Sequence, residues 1–210
     1  MPRRSTPEAL QDELWIAYYR SIDLILLNLI WFVTSVPVIT AIPALGALFY
    51  ATNQMAHTGS GTWRGFAEGF RRCFWLSWRW GLINAAVLGT FGLTAWFYAH
   101  VERSWSSPLL LLVIALLVAW IELQLFTFPL LLEQADQRFV VALRNSGVIF
   151  LRWPRIAFGA ALQIAIVALP SVLIFPPAWI FISASLCTYL SSRAVLQSIQ
   201  RIHDDSAAQR

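Results

Sequence analysis

The sequence contains no lysine; all 15 of its basic residues are arginine. Charge of either sign is scarce, at 12% of 210 residues, against about 25% for a soluble domain. Two cysteines, Cys73 and Cys187, are too few for a disulfide framework or a cysteine-rich metal site. The three histidines, His57, His100 and His203, lie far apart in loops or the tail. There is no Gly-x-Ser-x-Gly, no His-Glu-x-x-His and no phosphate-cradling glycine loop. These absences leave no catalytic residues, no metal ligands and no cofactor to assign, and the chain reads as a non-enzyme. The net charge of +4 needs no nucleic acid partner, because membrane proteins hold arginine on their cytoplasmic side.

What is abundant is apolar sequence: 58% of residues are hydrophobic and 14% aromatic. Several apolar runs approach the roughly 18 residues that mark a membrane span. The pattern predicts an all-α, polytopic membrane protein in a single domain over 1–210, and the lipid bilayer is its first partner. Residues 1–21 read as an amphipathic leader, with Trp15, Tyr18 and Tyr19 suited to the headgroup region. Acidic residues Glu8, Asp12, Glu13 and Asp23 precede the first apolar run and argue against a cleaved signal peptide.

A broken-helix hairpin is expected over 22–57, with Pro37 and Pro43 bracketing its tip and Thr40 between them. On this reading the second arm, beginning near Pro43, is short. A basic interfacial helix is expected over 63–80, where Phe66, Phe70, Phe74 and Trp78 recur every four residues. Glu68 is placed to pair with Arg72 one turn on. A second hairpin follows over 80–132, a charged cytoplasmic interfacial segment over 133–155, a third hairpin over 156–192 and a cytoplasmic tail over 193–210.

Arginine counts choose between topologies. With six membrane segments as three hairpins, fourteen arginines share a side with both termini, and only Arg103 faces the other. If 37–43 were instead a kink in one span, the split would fall to eleven against four. The cleaner split favours six segments with the N- and C-termini cytoplasmic. A weak repeat at an offset of 73 matches Phe66, Arg71, Arg79 and Trp80 with Phe139, Arg144, Arg152 and Trp153. Small residues then recur every four positions in both copies, Gly81, Ala85, Gly89 and Ala157, Ala161, Ala165, as they do where membrane helices approach closely.

The stretch "LNLIWFVTSVPVITAIPALGALFYA", residues 27–51, carries Asn28, Trp31, Pro37, Thr40, Pro43, Ala44, Leu48 and Tyr50 in a recognisable order. With "FPLLLEQ" and "ALRNSGVIFL" further on, it resembles the YesL-like family of bacterial integral membrane proteins, a family of unknown function. Ile42 stands where that family often has glycine. The resemblance implies a multi-pass protein of the bacterial plasma membrane. It also implies a setting beside carbohydrate uptake of the ABC type, with permease subunits as partners, but no catalytic residue.

Two sets of residues are candidates for function. Glu122 lies mid-span on a face shared with Ala115 and Ala119, expected to point into the bundle. Asn28, Asn84 and Gln163 are the polar groups expected to meet it or to bridge helices, and Gln124 is another bridging amide. The exposed arginines Arg64, Arg71, Arg72, Arg79, Arg144 and Arg152 are candidates for contact with anionic lipid or a partner. The expected function is an accessory or regulatory role beside a carbohydrate uptake system. The alternative is a small-solute or ion-coupled transporter built on Glu122.

Overall fold

The computed structural model describes residues 6–101 and 105–208, and within them the side chains of all but 6–14, 16, 17, 206 and 208. Arg3, Arg4, Arg103 and Arg210, four of the arginines in the topology count, lie outside the described residues. The described chain is helical: α1 (Thr6–Ser35), α2 (Val38–Thr58), α3 (Trp63–Arg72), α4 (Phe74–His100), α5 (Ser106–Glu133), α6 (Phe139–Arg152), α7 (Pro154–Leu173), a π-helical turn (Trp179–Ser183) and α8 (Ala184–Ala208). Among the described residues, four helices are long and apolar enough to cross a membrane: α4, α5, α7 and the π-turn with α8. The architecture is that of a multi-pass helical membrane protein.

The α1–α2 turn falls at Val36 and Pro37, and Pro37 caps α2 in an extended conformation. Pro43 was expected to open the second arm, but it lies inside α2 and is fully buried. That corrects the tip to a tight turn and lengthens the arm to 21 residues. The proline is tolerated because it removes only one amide early in the helix, next to the turn whose amides lack partners anyway. Thr40 closes the turn. Its hydroxyl lies 2.6 Å from the Thr34 carbonyl and 2.9 Å from that of Pro37, near the unsatisfied end of α1.

α2 is the centre of the bundle. Ala44, Gly46, Ala47 and Ala51 give it a small-residue surface against which neighbours pack closely. It ends at Gly59, whose φ of 85° is the left-handed conformation that favours glycine. Thr62 then caps α3 by accepting from the Gly65 amide.

The single helix expected over 63–80 is two, separated at Cys73. α3 and the start of α4 run antiparallel to α2. A Cβ at Gly69 would lie 2.7 Å from Tyr50, one at Gly46 1.8 Å from Ser77 Oγ, and one at Gly81 2.6 Å from Ile42. The buried face of α3 is therefore Gly65, Phe66 and Gly69 turned to α2, while Phe70 and Phe74 are only half-buried. The Glu68–Arg72 pair forms as expected, at 3.0 Å on the surface.

The small-residue stripe of the repeat is a packing face only in part. Gly81 and Ala157 are buried, but Ala85 and Gly89 are exposed. The last span and the expected tail are one helix, since α8 continues unbroken to Ala208. At the ends of α2 and α5, Glu133 accepts from Asn53 Nδ2 and meets His57 Nε2, each at 2.8 Å. No local pattern marks this clasp, because Glu133 lies 80 residues from Asn53 and 76 from His57.

Candidate functional site

An apolar cleft of about 390 Å³ lies between α1, α2, α4, α5 and the start of α8. Four tryptophans line it, Trp31, Trp80, Trp120 and Trp179, with Phe49 beside them. Its polar groups come mainly from one network. Trp80 Nε1 donates to Gln124 Oε1 at 2.9 Å, and Trp120 Nε1 donates to Asn84 Oδ1 at 3.0 Å. Asn84 Nδ2 donates to the Trp80 carbonyl at 2.9 Å and reaches Gln124 Oε1 at 3.3 Å. Each helix contributes a tryptophan and an amide one turn apart, Trp80 with Asn84 and Trp120 with Gln124. That spacing puts both on one face, and it is the signal in the sequence from which this network could have been read.

Among the described residues, no carboxylate or cationic side chain lines the cleft, which suits a neutral apolar group.

Glu122 is not part of it. It sits at the edge of the lining face of α5, about 60° from Leu125 and about 100° from Ile121, which line the cleft, and about 160° from Trp120, at about 100° per residue. Ala115 and Ala119, expected to turn inward, are exposed, and Glu122 is half-buried. Among the described residues it has no hydrogen-bond partner. The face of α5 that packs is chosen by Trp120 and Gln124, which find partners on α4. Two alanines offer too little surface to compete.

Asn28 lies elsewhere, fully buried against the π-turn. Its Nδ2 donates to the carbonyls of Trp179 and Ile180, at 2.9 and 2.5 Å, and its Oδ1 accepts from the Ser185 amide at 2.7 Å. Ile180 and Ser185 are five residues apart, the pair that a π-turn bond would join. The amide of Asn28 takes both halves of that pair. Ser185 adds a bond from its hydroxyl to the Leu24 carbonyl, at 2.8 Å. Gln163 is exposed on α7. The four expected polar residues thus occupy separate places, and only Asn84 joins the cleft. Two pairs of interior hydroxyls join helices, Thr127 meeting Ser146 at 3.0 Å and Ser171 meeting Ser183 at 2.6 Å.

The candidate arginines Arg64, Arg71, Arg72, Arg79, Arg144 and Arg152 are all exposed. Arg152 meets Asp205 at 3.5 Å and lies 4.9 Å from the Trp153 ring centroid. Arg71 borders a hollow it shares with Ile30, Thr34 and Trp63. They form a dispersed basic surface, not one site.

No curated protein and no solved structure matches this chain. Residues 24–94 match the model of a family described as "Protein of unknown function, DUF624". The matched stretch takes in the Asn28 contact with the π-turn, all of α2 and α3, and the α4 half of the tryptophan–amide network; a DUF624 domain, from a family of unknown function, is thus found at residues 24–94.

Proposed function

We propose that this is a non-catalytic accessory or regulatory protein of the bacterial cytoplasmic membrane, acting through its surfaces beside a carbohydrate uptake system. One observation supports surface action over transport: the amides that line the cleft, Asn84 and Gln124, are each bound to a tryptophan of the facing helix, and Glu122 is not among the lining residues. The carbohydrate setting rests on the resemblance of residues 27–51 to the YesL-like family. Crosslinking in native membranes should enrich permease subunits of the ABC type over other membrane proteins. Absence of that enrichment would sink the reading. Glu122→Gln should leave the crosslinked partners unchanged, whereas their loss would restore a functional role for Glu122.

The topology we propose keeps both termini cytoplasmic but makes α1–α2 a re-entrant hairpin. Ile42 packs at Gly81, and exposed Arg79 is only two residues before it. Pro37 is five residues from Ile42, so the tip lies about 10 Å beyond the level of Arg79, at 1.5 Å per residue. α4 runs on for 19 residues from Gly81 to His100, about 28 Å further. The tip is apolar, with Val36 72%, Val38 85% and Ile39 70% exposed, and Thr40 satisfies the turn internally. Backbone in hydrocarbon requires such internal satisfaction. A hairpin that enters and returns preserves the fourteen-to-one arginine split.

Cysteine labelling tests this directly. Val38→Cys should react with impermeant thiol reagents from neither side, Trp105→Cys only from outside, and Ser60→Cys only from inside. The native Cys73 adds little background, because burial pushes its thiol up to about 11 and leaves little thiolate at neutral pH. Labelling of Val38→Cys from outside would return α1–α2 to two full crossings.

A further inference from the structure

α7 and α8 pack side by side as the arms of the last hairpin, so the start of α7 lies near the end of α8. Between them is a groove of about 410 Å³ unlike the tryptophan cleft. Arg155 and Gln163 line it from α7, and Arg193, Gln197 and Arg201 line it from α8. The α8 residues recur every four positions, so they form one stripe along the helix. On α7 the position between Arg155 and Gln163 on the same stripe is Gly159, and a Cβ there would meet nothing within 4 Å. The glycine leaves the groove open. Ile156, Ala160 and Ala194 supply apolar wall.

Among the described residues, no carboxylate lines this groove. Arg72, Arg138 and Arg152 each have an acidic partner, but among the described residues Arg155, Arg193 and Arg201 have none. Arg193 is held by the Tyr189 ring, 5.9 Å from its centroid, which orients the guanidinium without neutralising it. Three arginines without an acidic partner line one groove, and an anion bound there would screen their mutual repulsion. Guanidinium forks match the oxygens of a phosphate in pairs, and glutamine amides can donate to those that remain.

We propose that this groove binds the phosphate headgroup of an anionic phospholipid. Both walls are membrane-spanning helices, which places a basic pocket at the level of headgroups. The α7 stripe also continues outward from Gln163 to Ile166, which is 63% exposed and gives an acyl chain an apolar track. A phospholipid fills both the charged and the apolar part, while free phosphate fills only the first. The inference concerns the purified chain alone and stands apart from any protein partner.

The test is native mass spectrometry of the full chain in detergent, titrated with phosphatidylglycerol or phosphatidylcholine. The wild-type protein should retain phosphatidylglycerol in preference. Substituting all three arginines (R155Q, R193Q, R201Q) should lower that preference on the order of a hundredfold, given about 1 kcal/mol per basic residue near the surface. Gly159→Leu, which fills the groove and leaves the charges in place, should have a similar effect. Arg138→Gln, which removes a guanidinium already paired with Asp136, should have little. Equal retention of the two lipids, or full retention by the triple variant, would overturn the groove as a headgroup site. Inorganic phosphate competing as well as the phospholipid would overturn the lipid assignment.

Discussion

Replacing Asn28 with leucine is expected to destabilise this protein by about 3 kcal/mol, at about 1 to 3 kcal/mol for each buried polar group left without a partner. Three backbone groups lose their partner at once: the carbonyls of Trp179 and Ile180 and the amide of Ser185. Leucine keeps the branched skeleton of asparagine with methyl groups in place of the amide oxygen and nitrogen, so it removes the hydrogen bonds without leaving a cavity. Hydrogen bonds between membrane helices average well below ~1 kcal/mol, because chains unfolded in the membrane find other partners. Asn28 should exceed that average. It serves three groups on a π-turn, and such a turn leaves its amides and carbonyls outside the regular α-helical ladder. Aspartate should rescue poorly, since a carboxylate would face two carbonyl oxygens. Thr52→Val is the control. Thr52 is also fully buried, but its hydroxyl serves only the Leu48 and Phe49 carbonyls of its own helix. Unfolding in mixed SDS micelles, followed by circular dichroism, measures both. An Asn28→Leu variant within about 0.5 kcal/mol of the wild type would show that the π-turn does not depend on the contact; that margin is the usual scatter of inconsequential substitutions.

Gly46→Val should be comparably damaging for the opposite reason, an excess of volume. The first added carbon would lie 1.8 Å from Ser77 Oγ, 2.9 Å from Ser77 Cβ and 3.1 Å from Phe128 Cζ. The Ser77 hydroxyl can rotate away, but its Cβ is fixed to the backbone of α4, so the helices must separate. Overpacking of this kind costs about 1 to 3 kcal/mol. Even alanine should be felt, and Ser77→Gly should restore much of its loss by removing the Cβ it meets. Gly89→Ala gives the contrast. It lies on the same helix as Gly81, yet an added carbon there meets nothing within 4 Å. That substitution should be neutral or stabilising by up to about 1 kcal/mol, the difference in helix propensity. Thermal melting in detergent distinguishes the three. A Gly46→Val protein as stable as the wild type would mean that α2 and α4 are not in close contact.

The same two glycines show how far sequence pattern reaches. Spacing of four suggested that Gly81 and Gly89 share a packing face, and so they share a face of the helix. Only Gly81 has a helix opposite it, because α2 begins at Val38 and does not extend along α4 to Gly89. Glu122 failed in the same way. Its shared face with Ala115 and Ala119 is correct as helix geometry, but the bundle lies on the Trp120 and Gln124 side. The preference of proline for a first turn predicts a helix start at Pro43. Pro37 already supplies the break, and Pro43 is accommodated as the sixth residue of α2.

The sequence by itself determined that this chain is helical and multi-pass, that it folds back at a proline-marked turn within 37–43, that Glu68 pairs with Arg72 and where the four helices apolar enough to cross a membrane lie. These follow from period, composition and neighbours one turn away, interactions that a chain carries locally. Tertiary structure alone decided that Asn28 completes a π-turn more than 150 residues away, that Glu133 ties α5 to α2, and that three arginines of α7 and α8 face one groove. Each depends on which helix lies opposite which. That choice is made by total burial and by the mutual satisfaction of polar groups across the bundle, and no local pattern contains it.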